Sequence, residues 1–229
     1  MGRGACHDDR ADSRSVSRLA HGRQGRREIY TPCDCGGVLL YGGKIGLGMT
    51  MSANDITRYA LLLRGVNMMG KNTLIMSRFV QDLTRLGLYN VSHYINSGNV
   101  FFDSDMAADK LFTHIQECLQ ERHGLSVDFV IVLSNVLRDE WHNLPSFWHD
   151  DNLKKEVLFF MPNFDVDGFV ALARDWKLVN EQFYIGKTGI FWASARNGSV
   201  YRHELIKPKL LKNLSIRNAK TLNAIFDFL

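Results

Sequence analysis

The sequence predicts an α+β protein of two tandem ferredoxin-like βαββαβ units, the second followed by a C-terminal helix, with a disordered N-terminal extension. Apolar runs of strand length alternate with amphipathic helical stretches, this order occurs twice, and the first 50 residues show no sustained periodicity. The expected divisions are an extension over 1–50, a first unit over 51–133, a linker over 134–154 and a second unit over 155–229.

The extension differs in composition from the rest of the chain. It contains ten of the 19 glycines and two of the 25 aromatic residues, and its net charge of +3 leaves +1 for residues 51–229. A segment with so few large apolar side chains cannot bury enough surface to offset the entropy lost on folding. We therefore expect it to be disordered, with Met49 or Met51 as the natural start.

The four cysteines indicate neither a metal site nor an oxidising compartment. Cys6, Cys33 and Cys35 lie in the extension and lack the two paired ligand sets of a structural zinc site. Cys118 lies on the apolar face of an expected helix, where a thiol is buried. No metal or cofactor is predicted, and the cytoplasm is the expected location.

The first unit begins with a continuous apolar strand over 59–63 and a polar loop over 65–72. Phe79, Leu83 and Leu86 then recur at helical spacing before Gly87, which predicts a helix that ends at this glycine. The next elements are a strand over 91–95, a turn over 96–99, a strand over 100–103, a helix ending at Gly124 and a strand over 127–133.

The linker and the second unit repeat this order less perfectly. The linker is expected to form a helix over 135–143 with Ser134 as its N-cap, and Asp165 is expected to cap a later helix. The remaining elements are a strand over 156–161, a hairpin of 182–185 and 190–193, a short helix with Pro208 in its first turn, an extended piece over 214–217 and a helix from Ala219.

The expected topology brings two polar segments of the first unit together. Strands one and two of a βαββαβ sheet run parallel with strand three between them, so their carboxyl ends share one edge. Loop 64–72 and turn 96–99 should then lie about 10 Å apart, or two strand spacings. This edge is the best candidate site in the chain.

The residue types at this edge favour an anion. Gly65 and Gly70 permit backbone conformations that expose N–H groups, and Arg64 and Lys71 supply positive charge. The loop is not a P-loop, because Asn72 replaces the Ser or Thr that ligates magnesium. The candidate ligand-binding residues are Arg64, Gly65, Asn67, Gly70, Lys71, Asn72, Ser97, Gly98 and Asn99. The alternative is that they only form turns, with Asn67 and Asn96 bonding to local backbone.

Several motifs resemble a known family. Arg64-Gly-Val-Asn, Gly70-Lys-Asn72, Met76, Tyr94-Ile-Asn-Ser-Gly-Asn-Val100 and Arg217-Asn218 with Thr221 are similar to the bacterial domain-of-unknown-function family 1697 (DUF1697), over about Thr57 to the C-terminus. The resemblance implies tandem ferredoxin-like units and brings no established activity. The chain departs from it at Met69, where the family usually has glycine, and at Ala219 and Lys220, where it usually has Trp and Asn.

The terminal motif suggests a secondary site made of Arg217, Asn218 and Thr221. Its alternative interpretation is structural: Asn218 caps the last helix, and Arg217 lies on the surface.

Three function classes remain open at this point. The first is binding of a small anionic or nucleotide-like ligand; the second is an RNA-binding module, faintly indicated by Gly98-Asn-Val-Phe-Phe102; the third is a structural or protein-interaction protein. Nucleic acid is the less favoured partner, because residues 51–229 are almost neutral. The histidines show no metal or triad spacing, so no catalytic residue is assigned. No apolar run is long enough for a membrane span, and the sequence does not indicate the oligomeric state.

Overall fold

The computed structural model describes residues 40–41, 44–45, 56–176, 178, 180–195 and 208–229. The predicted disordered extension lies outside the described residues, except for Leu40–Tyr41 and Lys44–Ile45, and so do Cys6, Cys33 and Cys35.

Ten strands and six α-helices occur within the described residues, in an α+β arrangement. In chain order they are β1 (Leu40–Tyr41), β2 (Lys44–Ile45), β3 (Thr57–Leu63), α1 (Met76–Arg85), β4 (Tyr89–Tyr94), β5 (Asn99–Ser104), α2 (Ala108–Glu117), β6 (Phe129–Leu133), α3 (Ser134–His142), β7 (Leu153–Phe160), α4 (Val166–Ala173), β8 (Glu181–Ile185), β9 (Gly189–Ala195), α5 (Pro208–Leu211), β10 (Leu214–Asn218) and α6 (Ala219–Phe228). A π-helical turn over Cys118–Arg122 follows α2, and a 3₁₀ helix over Ser146–His149 follows α3.

The first sheet has the strand order β2-β1-β6-β3-β5-β4, and its neighbouring strands are antiparallel. Strands β3 and β4 therefore run parallel with β5 between them, as the sequence predicts. The two-residue strands β1 and β2 extend the edge at β6, where Leu40 pairs with Ile131. The sequence does not predict them, since two residues are too few to show alternation.

The second sheet has the order β10-β7-β9-β8 and is also antiparallel throughout. When the four strands are numbered along the chain, they lie side by side in the order fourth, first, third, second. Strands β6, β3, β5 and β4 of the first sheet, numbered in the same way, have the same order. The two sheets thus end up with the same arrangement although their sequences differ.

Three apolar cores cover the faces of the two sheets. Helices α1 and α2 pack on one face of the first sheet, α4 packs on the outer face of the second, and the two sheets meet through the third core. In this central core Leu62 and Phe101 of the first sheet lie with Phe159 and Phe191 of the second, beside residues of α3 and α6. Both faces of the first sheet are therefore buried.

Local capping agrees with the predictions in part. Asp165 Oδ1 accepts a hydrogen bond of 2.9 Å from the N–H of Gly168 and so caps α4 as predicted. The prediction that Ser134 caps α3 is wrong, because Ser134 is already helical and its Oγ lies 3.5 Å from the carbonyl oxygen of Leu229. The N-cap position of α3 is Leu133, the last residue of β6, and no side chain caps the helix.

Candidate ligand site at the edge of the first sheet

Loop 64–72 follows β3 and contains an unusual number of left-handed residues. Positive φ values occur at Gly65 (67°), Asn67 (53°), Met69 (50°), Gly70 (73°) and Asn72 (50°). The N–H of Lys71 donates to the carbonyl of Met68 at 2.9 Å across Met69 and Gly70. These are the features of a type I′ turn, which presents Lys71 exposed beside its tip.

Asn67 joins this loop to turn 96–99. Its Nδ2 donates to the carbonyl oxygens of Leu74 at 2.9 Å and Asn96 at 2.7 Å, and its Oδ1 accepts from the N–H of Leu74 at 2.8 Å. The loop and turn are therefore in direct contact, and the expected separation of about 10 Å is wrong. The cause is that Asn67 reaches across to the turn, a contact that strand spacing alone does not include.

Gly98 is required where the turn passes β3. Its carbonyl accepts from the N–H of Leu63 at 2.8 Å, and its φ is +81°. A Cβ at this position would lie 2.6 Å from Leu63 Cβ and 2.7 Å from Val66 Cγ2. Any side chain here would both strain the backbone and displace the core.

Asn99 lies beneath the loop and binds a residue of the second unit. It is completely buried, and its Oδ1 accepts a hydrogen bond of 2.6 Å from Arg217 Nε. Its Nδ2 donates to Tyr94 O at 3.3 Å and to Ser97 Oγ at 3.1 Å. These bonds occupy the side chain of Asn99 and order the turn above it.

Arg217 is therefore buried, and the interpretation that places it on the surface is wrong. Besides Asn99, its guanidinium donates to Leu63 O at 2.8 Å, Ser215 Oγ at 3.1 Å and Ile216 O at 2.9 Å. Burial lowers its pKa to about 10, so it remains charged at neutral pH. It connects the two sheets at the end of β3.

The other two residues of the terminal motif are used locally. Asn218 Oδ1 accepts from the N–H of Thr221 at 2.8 Å and caps α6. Thr221 is buried behind this cap.

The remaining candidate residues divide into exposed and supporting groups. Lys71 is exposed, and it has no ion pair among the described residues. Arg64 lies 3.4 Å from Asp128 Oδ2 in a partly exposed pair, while Asn72 Nδ2 donates to Gly65 O at 3.1 Å within the loop. Segments 64–72 and 96–99 contain no acidic residue, so this edge is weakly cationic.

Four large apolar side chains are exposed around the same loop and turn. They are Met68, Met69, Ile75 and Ile95, with exposed fractions of 56%, 97%, 61% and 48%. Ile95 has a φ of 48°, which a β-branched residue rarely adopts, and Met69 is also left-handed. Met69 and Ile95 therefore cost free energy both through backbone strain and through exposed apolar area. An exposed apolar patch of this kind marks the edge as a candidate binding surface.

A second polar cluster joins α1 to the π-helical turn. The buried carboxylate of Asp82 lies 2.9 Å from Arg85 and 3.0 Å from Arg122, with His123 Nε2 at 3.3 Å. Burial opposes ionisation of Asp82, but the two guanidinium groups lower its pKa below the usual value. Burial raises the pKa of the nearby Cys118 thiol. Because the thiolate is the reactive form, a thiol with a raised pKa is a poor nucleophile. We interpret the cluster as a structural contact between helices.

Glu140 of α3 is a buried carboxylate that the sequence analysis did not identify. It accepts from the backbone N–H of Lys187, and its other oxygen accepts from the N–H of Thr188 at 3.2 Å and from the Thr188 hydroxyl. Burial raises its pKa to about 7. The signal was its helical spacing: Glu140 follows Val136 and Leu137 on the buried face of α3.

The structure shows no grouping of three or more His, Cys, Asp or Glu suited to a metal ion within the described residues. None of the helices in the same part of the chain is long and apolar enough to cross a membrane.

Comparisons with known proteins identify a family and a related solved structure. A family model described as "Protein of unknown function (DUF1697)" matches residues 56–191. A solved structure of the conserved bacterial protein SP0830 from Streptococcus pneumoniae is 35% identical, with a TM-score of 0.68, and the alignment covers 76% of this chain and 99% of that one. No curated protein matches the chain. Since the family model spans more than half of the chain, the chain belongs to the DUF1697 family.

Proposed function

We propose that the protein binds a small anionic or nucleotide-like ligand at the edge formed by loop 64–72 and turn 96–99. The observation that supports this most directly is an exposed lysine, Lys71, presented by a fixed turn in a loop that itself contains no acidic residue. We also propose that the two units are copies of one ferredoxin-like unit, given the matching order of their strands.

The candidate residues contribute in different ways. Lys71 supplies charge directly, and Arg64 contributes when it turns from Asp128, a change that costs little because the pair is partly exposed. Ser97 supplies a hydroxyl, while Gly65 and Gly70 permit the left-handed backbone.

Asn67, Asn72 and Asn99 support the site instead of contacting the ligand. Their side chains are hydrogen-bonded to Asn96, Gly65 and Arg217 respectively. A ligand that used these amides would have to break bonds that hold the loop in place, so we assign them to positioning.

A protein partner is the second candidate for this edge, and the four exposed apolar side chains favour it. Met68 and Met69 are flexible, polarisable side chains of the kind found on adaptable binding surfaces. RNA binding through the sheet face has less support, because Phe101 and Phe102 are fully buried.

The test is thermal unfolding of the full chain with inorganic phosphate, nucleotides, sugar phosphates and carboxylates. A ligand at 100 times its dissociation constant stabilises the native state by about 2.7 kcal/mol, which raises the unfolding midpoint by several degrees. We expect the shift to disappear in Lys71→Ala and to remain in Lys220→Ala, a matched control at an exposed lysine of α6. No shift with any anion would contradict the proposal and favour a protein partner, and the same shift in Lys71→Ala would contradict it by showing that the anion binds elsewhere.

A further inference from the structure

A solvent-open cavity of about 440 Å³ lies where the two units meet, on the β6 side of β3. Its walls come from α2 and the start of β6 in the first unit, and from the segments that follow β7 and precede β10 in the second. Cavities of this size between domains are common places for small ligands.

One part of the wall of the cavity is apolar. Phe112 and Phe129 contact each other with ring centroids 4.5 Å apart, and both line the cavity together with Met161. Phe129 and Met161 are buried, so their positions are fixed by the cores of the two units. This wall suits an apolar group of the ligand.

The polar part of the wall has one charge of each sign. Asp128 and Lys212 line the cavity, as do the amide side chains of Gln116 and Asn163. Lys212 is exposed and has no ion pair within the described residues. Asp128 pairs with Arg64 through only one of its carboxylate oxygens, Oδ2, at 3.4 Å. A carboxylate and an ammonium group together are unsuited to a phosphate, which the carboxylate would repel.

We propose that this cavity binds a small zwitterion, namely an amino acid with an apolar side chain. The ammonium group of the ligand pairs with Asp128 and its carboxylate pairs with Lys212. Gln116 and Asn163 complete its hydrogen bonds, and its side chain packs against the apolar wall. This site differs from the anion site proposed at loop 64–72, because neither Lys71 nor turn 96–99 lines the cavity, and the two are connected only through the pair of Arg64 and Asp128.

The experiment is calorimetric titration of the full chain with L-leucine, L-methionine and L-phenylalanine. Each is compared with single-charge analogues, which for leucine are 3-methylbutylamine, lacking the carboxylate, and 4-methylpentanoate, lacking the amino group. Because only the zwitterion can use both charged groups, we expect it to bind at least about tenfold more tightly than either analogue. Equal binding of an analogue, or no binding of the three amino acids, would overturn the proposal.

Variants locate the site. We expect Asp128→Asn and Lys212→Ala each to weaken amino-acid binding by about tenfold or more, and Lys110→Ala, at an exposed lysine of α2 outside the cavity wall, to leave it unchanged. Circular dichroism and urea unfolding establish that each variant is folded. Unchanged binding in both cavity variants would overturn the assignment. The Lys71→Ala variant should bind amino acids normally. The amino-acid proposal can therefore be tested whether or not an anion binds at loop 64–72.

Discussion

The two units differ in how the connection between their second and third strands is held. In the first unit, a buried cation from the second unit, Arg217, binds Asn99 directly after the connection. In the second unit, a buried carboxyl group of α3, that of Glu140, binds the backbone N–H groups of Lys187 and Thr188 within the turn. Each connection is thus bound by one buried ionisable side chain from another part of the chain.

The two side chains respond differently to pH. Arg217 has a pKa of about 10 and keeps its charge in the neutral range, whereas the pKa of Glu140 is raised to about 7. We conclude that a guanidinium and a carboxyl group can hold equivalent connections, but of these two only the carboxyl group makes stability depend on pH near neutrality.

The largest effect is expected from removal of Arg217. Arg217→Met leaves Asn99 Oδ1 and Leu63 O without their donor, and an unpaired buried polar group costs about 1 to 3 kcal/mol. We expect a loss of about 3 to 5 kcal/mol in the free energy of unfolding, measured by urea denaturation. Lys220→Ala, two residues from the end of β10, should change it by under about 0.5 kcal/mol. A loss below 1 kcal/mol in Arg217→Met would show that the connection does not depend on this side chain.

The next effect concerns the pH dependence due to Glu140. Its pKa rises from 4.5 in the unfolded chain to about 7 in the folded protein, so the native state binds more protons between these values. The resulting stability is fully present below pH 4.5 and is lost as pH rises through 7, with a size on the order of 3 kcal/mol.

Glu140→Gln should remove this dependence, because the amide does not titrate. Urea denaturation of both proteins at pH 4.5, 5.5 and 7 measures the difference between them, so that other titrating groups cancel. Asp82 does not interfere, since its lowered pKa gives a stabilising contribution that is present above its ordinary value of 3.8 and is lost only as the pH falls further. The same pH profile in wild type and variant would show that Glu140 is not the titrating group.

A smaller effect is expected where Gly186 approaches Glu140. A Cβ at Gly186 would overlap the Glu140 carboxylate, so Gly186→Ala should cost about 1 to 3 kcal/mol. In a Glu140→Ala background the same substitution should cost at least about 1 kcal/mol less, because the overlap is gone. A double-mutant cycle by urea denaturation measures this coupling, and additive effects would contradict the observed proximity.

The smallest effect concerns the left-handed residue at the tip of loop 64–72. Met69→Asn should stabilise the protein by about 0.5 kcal/mol, since Asn tolerates this position of a type I′ turn better than Met. Met68→Asn is the matched control, because Met68 is exposed but does not have a positive φ. Equal changes in the two variants, measured by thermal unfolding, would show that backbone strain at Met69 is not the cause.

The sequence was sufficient to predict structure that depends on local patterns. The apolar strand before Arg64, the cap at Asp165 and the helix after Asn218 each have a signal within a few residues. The deeper connections were not predictable in this way, because Arg217 binds Asn99 across 118 positions and Leu63 across 154.

The candidate site shows the same limit. The sequence predicted that loop 64–72 and turn 96–99 lie at one edge, but it did not predict which amides would be used internally. Asn67 binds Leu74 seven residues away and also Asn96 in the turn, and only the second of these bonds depends on the folded sheet. The cavity at Asp128 and Lys212 depends wholly on how the two units pack, so no local pattern indicates it.

The most direct test of the anion site is an NMR titration of the full, isotopically labelled chain with inorganic phosphate, followed through backbone amide signals. The account predicts saturable shifts concentrated in residues 65–72 and 97–98, and their loss in Lys71→Ala. Shifts concentrated elsewhere on the protein, or shifts at the loop that persist in Lys71→Ala, would contradict it.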